Sequence, residues 1–299
     1  MTGEALRVPE DRQGGPADPR GVLRLAGALR LQSRDPEFGG FSALQYVDGR
    51  LFALSDRGTL WRFDPAILAV AAPASASWQR CALHTGNGRP DSESLAVAAD
   101  GTLFLAAEGE HALYRLDPEA KGRERLTTRV PLPGWLRAAP VNAGIEAATA
   151  LPGGRLLLLT EGLFPAAGVL RAALWDGSDF VALRYPVSEG FVPVGADSID
   201  DTVYVLERRF SLFGGFAGRI RILELPRRPE AGTLLAPREL ARLRAPLPSD
   251  NFEGITVWRG EDGAREIAVV SDDNFSALQT TLLLRLRHRP KGPAATGTD

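Results

Sequence analysis

Glu146-Ala147-Ala148-Thr149-Ala150-Leu151-Pro152-Gly153-Gly154-Arg155-Leu156-Leu157-Leu158-Leu159-Thr160-Glu161 is the stretch on which the reading of this chain turns. A short apolar strand opens on a glutamate, turns at Gly153-Gly154, and returns as a second apolar strand that closes on another acid. A glycine pair between two such runs marks a hairpin, because tight turns need positive φ. Val169 to Trp175 then supplies a third strand.

The same phrase occurs elsewhere in the chain. One copy runs from Phe41 to Val47, turns at Asp48-Gly49, and continues through Leu51 to Asp56 and Leu60 to Phe63. Another opens Glu93-Ser94-Leu95-Ala96-Val97, turns at Asp100-Gly101, and passes through Leu103-Phe104-Leu105 to Leu113 to Leu116. A divergent copy enters near Ala196-Asp197-Ser198, turns at Asp200-Asp201, and continues through Val203 to Glu207 and Ile220 to Leu223. The last has Glu253-Gly254-Ile255-Thr256-Val257, a turn near Glu261 to Gly263, Ile267 to Asp272, and Thr281 to Leu286.

Starting positions at 42, 93, 146, 197 and 253 are spaced by 51, 53, 51 and 56 residues, a period that suits one four-stranded propeller blade with its loops. A β-sandwich or a pair of small barrels requires no such period. The fourth strands are expected at Trp78 to His84, Leu126 to Leu132, Phe180 to Val187 and Glu239 to Leu243. The last copy lacks one, and Leu23 to Leu31 can supply it, closing the ring and removing exposed edges. The expected fold is therefore all-β: a single β-propeller over residues 21–289, with five four-stranded blades and six as the alternative. Ala66 to Ala76, nearly all small and apolar, reads as a short helix or inter-blade loop rather than a hidden sheet. Met1 to about Arg20 and Pro290 to Asp299 read as flexible ends.

The 35 Lys and Arg nearly balance 37 Asp and Glu, so the net charge of −2 offers no field for a polyanion and excludes a nucleic-acid partner of the usual kind. A single cysteine, Cys81, rules out an intrachain disulfide or a cysteine-rich metal cluster. No stretch reaches the roughly 18 apolar residues that a membrane-spanning helix needs. Oligomeric state is not legible from these totals.

Acids recur at two points of the repeat, the start of the inner strand and the end of its antiparallel neighbour, which open on the same face. Glu93 pairs in this way with Glu108, Glu146 with Glu161, Asp197 with Glu207, and Glu253 with Asp272 and Asp273; the first copy has Ser42 with Asp56. Carboxylates gathered near one axis stay ionised only beside positive charge. Arginine is one source, since Arg57 follows Asp56 and Arg208 and Arg209 follow Glu207. A hard divalent ion is the other, because carboxylates and the side chains of Asn142, Asn251 and Asn274 are oxygen donors that suit calcium or magnesium. With only His84, His111 and His288, a zinc site or a histidine relay is poorly supplied. Ser42, Ser55 and Ser271 lack an evident activating base. Trp61, Tyr114 and Trp175 on third strands suit packing between blades.

The chain resembles the bacterial phytase-like proteins with esterase-like activity. The resemblance runs from about Leu23 to Leu286. It is carried by Phe41-Ser42-Ala43-Leu44, Ala53 to Gly58, Asn142 to Glu146, Val205 to Phe210, and most specifically Asp250-Asn251-Phe252-Glu253-Gly254-Ile255 with Val270-Ser271-Asp272-Asp273-Asn274-Phe275. It implies a propeller, calcium-dependent hydrolysis of phosphoesters or carboxylic esters, and export to the periplasm or beyond. The pattern departs at Asp91-Ser92-Glu93-Ser94, where similar proteins have Glu-Gly, and at Ala196-Asp197. A more distant likeness, to regucalcin-type lactonases, rests on Glu253-Gly254 with Ser271-Asp272.

The combined expectation is a divalent cation, calcium foremost, held near the axis by some of Glu93, Glu146, Glu253 and Asp272. Glu207 or Glu161 would act as general base, and Arg57, Arg208 or Arg209 would orient a small anionic or ester substrate. The alternative is a non-catalytic propeller module that binds a ligand or a metal.

Overall fold

The computed structural model describes residues 1–6, 23–69, 74–116, 125–244 and 247–289. Each copy of the repeat folds as a four-stranded antiparallel meander, and the five meanders stand as blades in a ring. The hairpin turns fall where Asp and Gly predict them: Asp48, Gly49, Gly101, Gly153 and Gly154 all have positive φ.

Blade one comprises Phe41–Val47, Arg50–Ser55, Thr59–Phe63 and Trp78–Ala82, and blade two Ser92–Val97, Leu103–Ala107, Ala112–Leu116 and Arg129–Val130. Blade three comprises Ile145–Leu151, Arg155–Thr160, Val169–Trp175 and Phe180–Pro186, and blade four Val192–Ile199, Thr202–Ser211, Gly215–Glu224 and Arg238–Leu243. Blade five takes Asn251–Arg259, Arg265–Asp272 and Leu282–His288 from the end of the chain and Leu23–Gln32 from its beginning, which closes the ring as expected.

The apolar core divides into five clusters, one on each seam between neighbouring blades. Inner and middle strands are buried on both faces, so runs such as Leu156 to Leu159 are continuous rather than alternating. Trp61 and Tyr114 are fully buried, and Trp175 meets Phe104 of blade two edge to face at 5.7 Å.

Two details differ from expectation. Within the end read as flexible, Thr2–Ala5 is a strand paired with Leu23–Gln32, and Ala74–Ser75 adds to its other side. Blade five thereby grows to six strands, because an outermost strand with free N–H and C=O groups accepts further pairing. Pro65–Ala69 forms a 3₁₀ turn, so the segment between blade one's third and fourth strands holds no sixth blade among the described residues. The remainder of the two ends, residues 7–22 and 290–299, lies outside the described residues.

Every inner strand carries a β-bulge near its start, and the extra residue is Ser42, Glu93, Glu146, Val194 or Glu253. A bulge bends the strand and re-aims one side chain. The residue that follows is always small: Ala43, Ser94, Ala147, Gly195 and Gly254. Crowding at the axis is the reason. A Cβ on Gly195 would stand 2.3 Å from the Glu253 carbonyl oxygen, and one on Gly254 would stand 2.9 Å from the Leu44 amide nitrogen.

Candidate active site

The bulges define a ring at one mouth of the channel, and a residue of each neighbouring middle strand completes it. Ser55, Ala107, Thr160, Glu207 and Ser271 pair with the residue just before each bulge. The next residues, Asp56, Glu108, Glu161, Arg208 and Asp272, therefore stand beside the bulged positions. Four are acids, and blade four alone contributes a cation.

This register corrects two expected members. The blade-four counterpart of Glu93, Glu146 and Glu253 is Val194, and Asp197 lies three residues deeper. Its carboxylate is buried, accepting hydrogen bonds from the Thr256 hydroxyl at 2.8 Å and the Val257 amide at 2.7 Å. Burial raises its pKa to about 7 despite those bonds. Glu207, read as a general base, is one residue early. Its side chain is 0% exposed, bonded by Arg219 Nε at 2.5 Å, Arg221 Nη1 at 3.3 Å and the Tyr185 hydroxyl at 2.8 Å. A carboxylate so enclosed cannot reach a substrate at the mouth, and it serves to neutralise two arginines inside blade four.

On the side of blades two and three the ring holds carboxylates alone. Oxygens of Asp91, Glu93 and Glu108 lie within 4.8 Å of one another. Glu108 is 8% exposed, and its Oε1 is buried without a hydrogen-bond partner, as are the hydroxyls of Ser92 and Ser94. Glu93 is pushed up to about 9 by burial and by the charges of Glu253, Asp91, Glu108 and Asp56. Glu146 is raised well above the carboxylate range by burial, by Glu93, Glu161 and Glu108, and by a hydrogen bond shared with Glu108. Burial also raises Glu161, while Arg208 pulls it back.

On the side of blades four and five the acids have partners. Arg208 Nη1 donates to Glu253 Oε1 and, at 2.7 Å, to Asn251 Oδ1. Asn251 Nδ2 donates to Glu253 at 2.8 Å and to Asp272 at 3.3 Å. Asp272 also accepts the Asn274 amide at 2.6 Å. Burial still raises Glu253 to about 8 and Asp272 to about 6. Asp273 is tied into the following loop by the Thr281 hydroxyl at 2.8 Å and the amides of Gly40 at 2.9 Å and Phe275 at 3.1 Å.

Of the four expected metal ligands, then, Glu93 lies in the compact acid group and Glu146 adjoins it through Glu108, whereas Glu253 and Asp272 stand with Arg208 and Asn251. Asp91 was missed, although it directly precedes the Ser92–Val97 strand. Of the three asparagines, Asn251 alone enters the network; the Asn274 side chain turns to Gln279 at 3.0 Å, and Asn142 is an exposed turn residue with positive φ. Arg57 is exposed and lies over the Phe275 ring at 3.5 Å, and Arg209 lies over Phe191 at 4.8 Å. Ser42, Ser55 and Ser271 hydrogen-bond to Ser92 O, Asp56 and Thr280 O respectively, which leaves none poised as a nucleophile. A grouping of hard oxygen donors, one of them buried and unpartnered, fits calcium better than any softer metal.

A family model described as phytase-like, esterase-like activity of phytase, matches residues 36–275. No curated protein matches. Among solved structures, Myxococcus xanthus glutaminyl cyclase is similar at 15% identity and TM-score 0.47, with 90% of this chain and 98% of that one covered. A catalytically inactive virginiamycin B lyase from Staphylococcus aureus with quinupristin is similar at 10% identity and TM-score 0.46, covering 89% and 100%. The PQQ-bound aldose sugar dehydrogenase of Streptomyces coelicolor is similar at 12% identity and TM-score 0.43, covering 88% and 98%.

Proposed function

The chain belongs to the phytase-like family, and from that premise we propose a calcium-assisted hydrolase of phosphoesters or carboxylic esters, working at the acid-lined mouth of the channel. The observation that carries the reading is the Glu108 carboxylate, whose Oε1 is buried without a partner amid Asp91 and Glu93. A buried polar atom left unsatisfied is costly, and a buried carboxylate among others is more so. Asp91, Glu93 and Glu108, with Glu146 behind them, are the residues to hold the ion. A hard cation at that point supplies Lewis-acid polarisation of an ester oxygen.

The chain's own groups divide the remaining work. Glu161 feels the charges of both Glu108 and Arg208, and its raised pKa brings it nearer the range where a general base is most effective. It accepts the proton of an attacking water while the water oxygen bonds to the acyl carbon or phosphorus and the bond to the leaving oxygen breaks. The same proton then passes from Glu161 to the leaving alkoxide. Arg208, held toward the mouth by Glu253 and Asn251, orients an anionic oxygen, and Arg57 is the second cation on the same rim.

A calcium titration by calorimetry followed by an ester, lactone and phosphoester panel tests this reading. Calcium binding with turnover that falls about a hundredfold or more in Glu161→Gln is the expected result. Calcium binding with no turnover on any substrate would replace the hydrolase with a binding module.

A further inference from the structure

Blade four departs from its neighbours above the ring as well as within it. Thr202–Ser211 and Gly215–Glu224 form a hairpin whose first strand continues past Arg208, so its tip rises about 10 Å beyond the ring. The tip reads Phe210-Ser211-Leu212-Phe213-Gly214-Gly215-Phe216. Phe210, Leu212 and Phe213 are 58%, 88% and 105% exposed, an unusual outlay of apolar surface in water. The blade topology places every loop between second and third strands, and every link between blades, on the mouth face. Val141, Phe164 and Leu278 occupy such loops. Among the described residues, the other strongly exposed large apolar side chain, Leu234, lies along the outer edge of blade three, bridged to Arg184.

The hairpin's register says which way its aromatic pair looks. Phe210 pairs directly with Phe216, and the rings lie 5.0 Å apart. Side chains two apart on a strand share a face, so this pair shares the face of Arg208, which reaches Asn251 and Glu253 of blade five. The two rings therefore overlook the seam of blades four and five, immediately outward from the ring's cation. The Ser249 hydroxyl bonds to the Phe216 carbonyl at 3.1 Å and ties the hairpin to the segment entering blade five.

We propose that Phe210 and Phe216 form an apolar subsite, and that the ligand of this mouth is an amphiphilic ester. Its anionic or ester head lies toward Arg208 and its acyl or aryl chain lies on the paired rings. A fully polar polyphosphate would gain nothing from an exposed and a half-buried aromatic ring beside the arginine, whereas an alkyl chain is removed from water there. This assignment rests on the proposed site but concerns binding, which separates its test from any test of turnover.

The test compares octyl phosphate with methyl phosphate by calorimetry, in calcium, on the full chain. Wild type should bind octyl phosphate about tenfold more tightly than methyl phosphate, and the ratio should fall toward one in Phe210→Ser/Phe216→Ser. Phe210→Leu/Phe216→Leu should retain most of it, which distinguishes lost apolarity from a damaged hairpin. A ratio near one in wild type, or a ratio untouched by the serine pair, would overturn the subsite. Octyl phosphate bound as expected with no ester turned over would leave the subsite standing and remove the hydrolase.

Discussion

The two sides of the channel mouth handle the same electrostatic problem differently. Blades four and five bring their acids in with arginines: at the ring Glu253 lies against Arg208, and just inside blade four Glu207 lies against Arg219 and Arg221. Blades two and three bring Asp91, Glu93, Glu108, Glu146 and Glu161 together with no arginine ion pair to any of them among the described residues, and Arg208 offsets Glu161 only in part. Ring closure forces both sides to crowd charge, but only one carries its own compensation. The other must keep protons or take a cation from solution.

Among single substitutions, removing Glu207 should produce the largest effect on stability. Glu207→Gln leaves two arginines short of their counter-charge inside blade four and should cost about 3–5 kcal/mol in denaturant unfolding. An effect near zero would erase the distinction between the sides. Next comes Glu108→Gln, which should weaken calcium binding by about tenfold or more while leaving the metal-free protein as stable as before, or more so, because repulsion is relieved. Calorimetry and thermal unfolding of one preparation would read both quantities. A variant that loses stability and keeps its calcium affinity would place the demand for a cation elsewhere.

A third expected effect is on pH dependence. In the folded, metal-free chain Glu93 is raised to about 9 and Glu253 to about 8, against 4.5 for an ordinary glutamate. Between those limits the folded state binds more protons than the unfolded one, so stability falls as pH rises through that window. The melting temperature without calcium should drop from pH 5 to pH 9, and calcium should offset most of the loss at the alkaline end. A flat profile in chelator would mean that these carboxyls are not held near one another in solution.

Much of the architecture was legible because a propeller repeats its turns. Asp48-Gly49, Asp100-Gly101 and Gly153-Gly154 announce hairpins at a steady period, and the missing fourth strand of the last copy points to Leu23–Gln32. Glu93, Glu146 and Glu253 were legible for the same reason, since each is the extra residue of a bulge. Blade four misled because its bulge residue is apolar Val194, which drew attention to the nearby Asp197. The small residue after each bulge carried the missing signal: aligning Gly195 with Gly254 moves the blade-four ring positions from Asp197 and Glu207 to Val194 and Arg208. Which acids meet their partners is a three-dimensional matter. Arg208 reaches Glu253 across 45 residues of chain, and no spacing in the sequence encodes that reach.

The central claim is that the blade-two acids create a demand for an external cation. A crystal structure grown with calcium tests it most directly. The account predicts an ion bound by Asp91, Glu93 and Glu108 at oxygen distances of about 2.3–2.6 Å. Refined density with no ion there, or with the ion seated beside Glu253 in place of the Arg208 guanidinium, would contradict it.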